Sequence, residues 1–179
     1  MQYLQVGCAC LIGLVFAVSA FTKVRDFEGF AASVPDLLPF GGGPAAGRAP
    51  GGGGHVRPIA SLVLVLEALA PVLLAVPATR PAGFGVALAL LAAFTSAIAL
   101  TLRRGRRASC RCFGASNAPL GARHLVRNGV LLTAAVLGLA TPGGPPVTAG
   151  LAVAVAAGAV AAILIVAFDD IADLLAGSL

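Results

Sequence analysis

Five apolar runs, each close to twenty residues long, alternate with short breaks rich in glycine, proline or arginine along the 179-residue chain. A run of about 20 apolar residues is the length of α-helix that crosses about 30 Å of hydrocarbon. The pattern predicts membrane spans over residues 4–22, 58–76, 82–102, 125–140 and 148–168. The first run has a second reading as a cleaved leader, because Val18-Ser19-Ala20 resembles a processing site. A leader opens on a positively charged stretch, however, and residues 1–10 contain no Lys or Arg, which favours a retained span.

The breaks differ in kind. Residues 21–30 alternate charged and aromatic side chains, as in a short segment lying in the headgroup layer. Residues 41–57 form a glycine-rich stretch without apolar periodicity, expected to be a flexible loop. Pro77 and Pro81 mark a short turn, Arg103 to Arg107 end the third run, and Thr141 to Pro146 end the fourth. The expected architecture is one all-α integral membrane domain set in the lipid bilayer. It has a bundle of four core transmembrane helices and a fifth, C-terminal helix.

Composition agrees with that expectation. The chain is 59% hydrophobic and 11% charged, whereas an ordinary soluble domain carries roughly 25% charged residues. A water-soluble fold would have too little polar surface to cover itself. The net charge of +5 then reads as orientation, because basic residues gather in loops on the cytoplasmic side. Lys23, Arg25, Arg48 and Arg57 follow the first run, and seven arginines lie between residues 103 and 127. The opposite side holds only Arg80. This distribution places the N-terminus outside, and both basic loops and the C-terminus inside. No nucleic-acid-reading motif, phosphate-binding glycine loop or Ser/His/Asp arrangement is present. An Ala-, Gly- and Arg-rich composition suits a high-GC bacterial genome, and hence a multi-pass protein of the bacterial inner or plasma membrane.

Four cysteines form two Cys-x-Cys pairs. Cys8 and Cys10 sit two apart in a helical run, so their side chains diverge by about 200° around the axis and read as small apolar packing residues. Cys110 and Cys112 fall in the arginine-rich break, where neighbouring cations favour the thiolate, the form that attacks disulfides and binds soft metals. A disulfide across Cys-x-Cys closes a small ring at the edge of tolerated geometry, and strained disulfides hand on their oxidation readily. The plain alternative is a pair of idle thiols in an interfacial loop. Two thiolates fall short of the four ligands typical of zinc, so no metal site is assigned, although Cu(I) or a site shared with a partner needs fewer.

Glu67 is the second candidate. It lies near the middle of the second span, where an ionisable side chain costs on the order of 3 kcal/mol. Pro71, four residues later, cannot donate to the Glu67 carbonyl. Glu67 could relay protons, hold a quinone oxygen, pair with Lys23 from the same side, or act as polar glue between helices. His124, Arg127 and Asn128 fall at i, i+3 and i+4 on one face at the start of the fourth span. His124 could serve as acid or base toward a thiol, with Arg127 and Asn128 supporting the loop. Interfacial anchoring is the alternative for all three.

The motif Phe21-Thr22-Lys23-Val24-Arg25-Asp26-Phe27, Glu67, Cys110-x-Cys112-Phe113-Gly114 and Arg127-Asn128 together resemble the methylamine utilisation protein MauE family, which is related to DoxX-like membrane proteins. The resemblance covers roughly residues 16–139. It implies a four-helix membrane core and a part in maturing methylamine dehydrogenase through disulfide formation or transfer, with Cys110 and Cys112 as the redox pair. The chain departs from the pattern in its glycine-rich insertion and its fifth run. It departs again at Arg111, where a small residue is expected.

The first reading is a thiol–disulfide redox protein whose Cys110 and Cys112 exchange with a thioredoxin-like or other redox client, its electrons passing to or from quinone. A non-enzymatic subunit that recruits a soluble redox enzyme is the alternative, and a Cu(I)- or zinc-handling protein a third. One tension remains between the charge pattern and this chemistry. Disulfide formation belongs outside the cytoplasm, yet the arginines place Cys110 and Cys112 inside.

Overall fold

The computed structural model describes residues 1–37, 56–103, 122–141, 143–144 and 148–168, and every element among them is helical. The α-helices are α1 (Gln2–Arg25), α2 (Phe27–Leu37), α3 (Val56–Ala75), α4 (Arg80–Arg103), α5 (Ala122–Ala140) and α6 (Thr148–Val166). A single 3-10 turn, Pro77–Thr79, joins α3 to α4. Thr79 tightens this turn by donating its hydroxyl to the carbonyl of Leu73 at 2.7 Å. Three segments, Gln2–Arg25, Val56–Ala75 and Pro77–Arg103, are long and apolar enough to cross a membrane, and α6 is a shorter apolar helix. Helices suit that medium because each satisfies its backbone polar groups internally.

Helices α1, α3, α4 and α5 form a ring in that order, with α5 closing back on α1, and α6 lies outside it along α1. Ring neighbours run antiparallel. Glu67 of α3 meets Ser19 and Lys23 near the end of α1, while Pro71 approaches Gly13 further back. The ring's interior is filled by Ile12, Val15, Phe84, Ala87, Leu131 and Ala135. A β-carbon on Gly138 of α5 would overlap Cζ of Phe84, so glycine lets α4 and α5 approach this closely. On the other side of α1, a β-carbon on Gly158 would lie 2.5 Å from the Gly7 carbonyl oxygen, which sets the close crossing of α6.

Two boundaries differ from the hydropathy reading. Residues 21–25, expected in a headgroup-layer segment, continue α1 as its last turn. The reason is packing: Lys23 has a buried partner on α3, so the helix extends until it is engaged. The segment after it forms α2, whose Phe30, Ala31 and Val34 pack against Ala60 of α3. The second difference is that α3 starts at Val56, so Val56 and Arg57 are helical. The rest of the glycine-rich stretch lies outside the described residues, as do Cys110, Arg111, Cys112, Phe113 and Gly114.

Candidate functional site

Lys23 and Glu67 are the most buried charged side chains among the described residues, 1% and 2% exposed. Lys23 Nζ stands 2.5 Å from Glu67 Oε1 and 2.7 Å from Oε2, and it donates a third hydrogen bond of 2.9 Å to Ser19 Oγ. Ser19 in turn donates to Glu67 Oε2 at 3.2 Å. Ser19 precedes Lys23 by four residues, which stacks the two side chains on one face of α1. An ammonium has three N–H donors, and all three of Lys23's are engaged. The rings of Phe30 and Phe94 flank the ammonium at 4.9 and 5.2 Å from their centroids, adding cation–π attraction. The cost of desolvating both charges is offset only by geometry of this completeness.

A cavity of about 40 Å³ opens beside the pair. Glu67, Lys23 and Ser19 form one wall, and Arg127 and Asn128 of α5 another. Phe16, Leu91, Phe94, Ile98 and Leu131 complete it with apolar surface. Asn128 is 7% exposed. The C-terminal half of α4 and the first turns of α5 meet here.

The structure thus gathers four of the residues singled out in the sequence: Lys23, Glu67, Arg127 and Asn128. His124 lies one helical turn before Asn128, half-buried and outside the cavity lining. Of the roles weighed for Glu67, pairing with Lys23 is the one the geometry realises. The charge pattern counted Lys23 as a loop cation; the structure places it inside the ring, with Arg25 at the end of α1 and Arg57 in the first turn of α3. Cys8 and Cys10 are free thiols towards the other end, where Cys10 Sγ donates to the Val155 carbonyl at 3.4 Å. No group of three His, Cys, Asp or Glu side chains able to hold a metal occurs among the described residues.

Two contributors escaped the sequence reading. Ser19 carried a signal in its four-residue spacing from Lys23. Phe94 carried none, since one phenylalanine in an apolar run looks like any other.

The family model described as methylamine utilisation protein MauE matches residues 1–141. The chain matches no curated protein and no solved structure.

Proposed function

Because the chain belongs to the methylamine utilisation protein MauE family, we propose that it is a membrane thiol–disulfide protein whose Cys110 and Cys112 exchange disulfides with a thioredoxin-like or client protein. Family membership and the three long apolar helices support a multi-pass membrane protein of the methylamine utilisation type. The finer reading is a bacterial inner-membrane bundle with four core spans, α1, α3, α4 and α5, and α6 as a fifth along α1. The observation that carries the redox reading is Cys110-Arg111-Cys112 set among arginines that favour the thiolate.

In this reading two client thiols reduce the Cys110–Cys112 disulfide. The client gains a disulfide, and the pair becomes two thiols. Reoxidation delivers two electrons and two protons to an acceptor of the quinone class. This reading assigns the proton traffic to Glu67 and His124, with Lys23, Arg127 and Asn128 supporting them. Phe113 and Gly114 complete the motif as supporting residues, and the Arg111 cation between the cysteines in sequence favours thiolate.

The test is labelling of Cys110 and Cys112 on intact cells with a membrane-impermeant maleimide, in a Cys8→Ser, Cys10→Ser background, before and after reduction. Labelling from outside only after reduction supports an exterior disulfide and reverses the charge-based orientation. Labelling only after lysis, without reductant, means reduced thiols inside and overturns the oxidase reading.

A second reading, a scaffold that recruits a soluble redox enzyme, draws on the completeness of the Lys23–Glu67–Ser19 hydrogen bonds, which lock α1 to α3. A stoichiometric partner that co-purifies with a Cys110→Ser, Cys112→Ser variant would favour it.

A further inference from the structure

Asn128 poses a problem the ion pair does not. Its side chain is more than nine-tenths buried and lines the cavity, and it makes no hydrogen bond among the described residues. Its amide atoms open onto the cavity rather than being sealed in protein, so a small molecule held there can reach them. The Lys23 donors are spent on Glu67 and Ser19, so they are not available to Asn128. Glu67 Oε1, by contrast, accepts only from Lys23 among the described residues and can take a further bond, since a carboxylate offers about four lone-pair sites and three are used. The cavity between them measures about 40 Å³. A buried water needs roughly 10–15 Å³ of such space, which leaves room for two or three.

We propose that this cavity is a proton-exchange site, in which bound water held by the Asn128 amide carries protons between the Glu67 carboxylate and the end of the ring marked by His124. The proposal rests on the assignment of proton handling to Glu67 and His124 above, but its test does not depend on the cysteines. A proton entering from solvent at that end passes along the water hydrogen bonds to a Glu67 oxygen. The product is a carboxylic acid beside the Lys23 ammonium, and the reverse step returns the proton by the same path. Only O–H bonds form and break, and no electrons move.

The surroundings give the path a direction. Away from His124 the ring is closed by Ile12, Val15, Phe84 and Leu131, all but fully buried and without polar atoms in their side chains. Among the described residues, the charged groups that line the cavity with Glu67 are Lys23 on α1 and Arg127 on α5. Helix α4 contributes Phe94 and Ile98, and α2 contributes Phe30. The α2 carboxylate Glu28 is engaged outside with Arg57 at 2.7 Å.

The chain's composition makes the test direct, because Lys23 is its only lysine and Glu28 and Glu67 are its only glutamates. Protein labelled with ¹⁵Nζ-lysine and ¹³Cδ-glutamate, in lipid nanodiscs, would give one ammonium and two carboxyl signals, with Glu28→Gln assigning the pair. In water-edited NMR, magnetisation should pass from water to the Glu67 carboxyl and the Lys23 ammonium of the unmodified chain. In Asn128→Leu, transfer to Glu67 relative to exposed Glu28 should fall about tenfold, since exchange must then wait on local opening. A stability change alone would not produce that loss. No transfer to Glu67 in the unmodified chain, or undiminished transfer in Asn128→Leu, overturns the proposal. Should Asn128→Leu fail to fold, the unmodified chain still decides: its Glu67 signal must receive magnetisation from water, and a dry Glu67 refutes the site.

Discussion

The ring of Phe84 on α4 occupies the space in which a side chain on Gly138 of α5 would stand. Phe84 is fully buried, so it cannot swing aside without displacing the ring's interior. Gly138→Ala should therefore destabilise the protein by about 1–3 kcal/mol through overpacking. Gly85→Ala, where nothing lies within 4 Å, should be neutral or gain up to about 1 kcal/mol from helix propensity. Unfolding by sodium dodecyl sulfate titration in mixed micelles checks both, and equal effects at the two glycines would contradict the packing described.

Removing one member of the buried ion pair should cost more than removing both. Lys23→Met or Glu67→Met alone strands a charge inside the ring, at about 3–5 kcal/mol. The double variant should recover a large part of that loss. A double-mutant cycle on thermal unfolding measures the coupling, and additive effects would mean that the pair is solvated rather than buried.

At the other end of the ring, Gln5 of α1 donates its amide to the carbonyls of Gly138 and Thr141 at 3.3 and 2.9 Å. Carbonyls at a helix end have no partner within their own helix, so Gln5 serves as a cap supplied by a different helix. Gln5→Leu should lower stability by about 1–2 kcal/mol and hasten amide exchange in the last turn of α5. Exchange there equal to that of the unmodified chain would rule out the cap.

Serine at Cys110 or Cys112 should abolish disulfide exchange with a thioredoxin-like probe, whereas serine at Cys8 and Cys10 should leave it intact. Gel-shift detection of the mixed disulfide distinguishes the two pairs. Exchange that survives loss of both loop cysteines would remove the redox reading.

How far these features could be read in advance depends on the physics behind each. Hydropathy runs reveal helices because lipid imposes one length and one polarity on a span, and so α3 and α4 stood out. Lys23 and Glu67 attracted notice as charges at the edge and in the middle of apolar runs, and pairing was among the roles weighed for Glu67. The end of α1 was misplaced because hydropathy treats a lysine as a stop, whereas a lysine with a carboxylate across the bundle prolongs its helix. Ser19, Phe94 and the unmet amide of Asn128 depend on how three helices converge, which no local pattern encodes. Cys110 and Cys112 lie outside the described residues, and their reading rests on their sequence setting.

The Gln5–Thr141 hydrogen bond joins residues 136 positions apart. During synthesis at roughly 5–20 residues per second, α1 would wait on the order of ten seconds for the end of α5 to arrive. Gln5 lies in the first turn of α1, where its amide can stay at the water boundary through that interval. The last contact of the ring to close is therefore one whose polar group has been kept wet. Assembly can run from α1 onward without the Gln5 amide being stranded in lipid along the way.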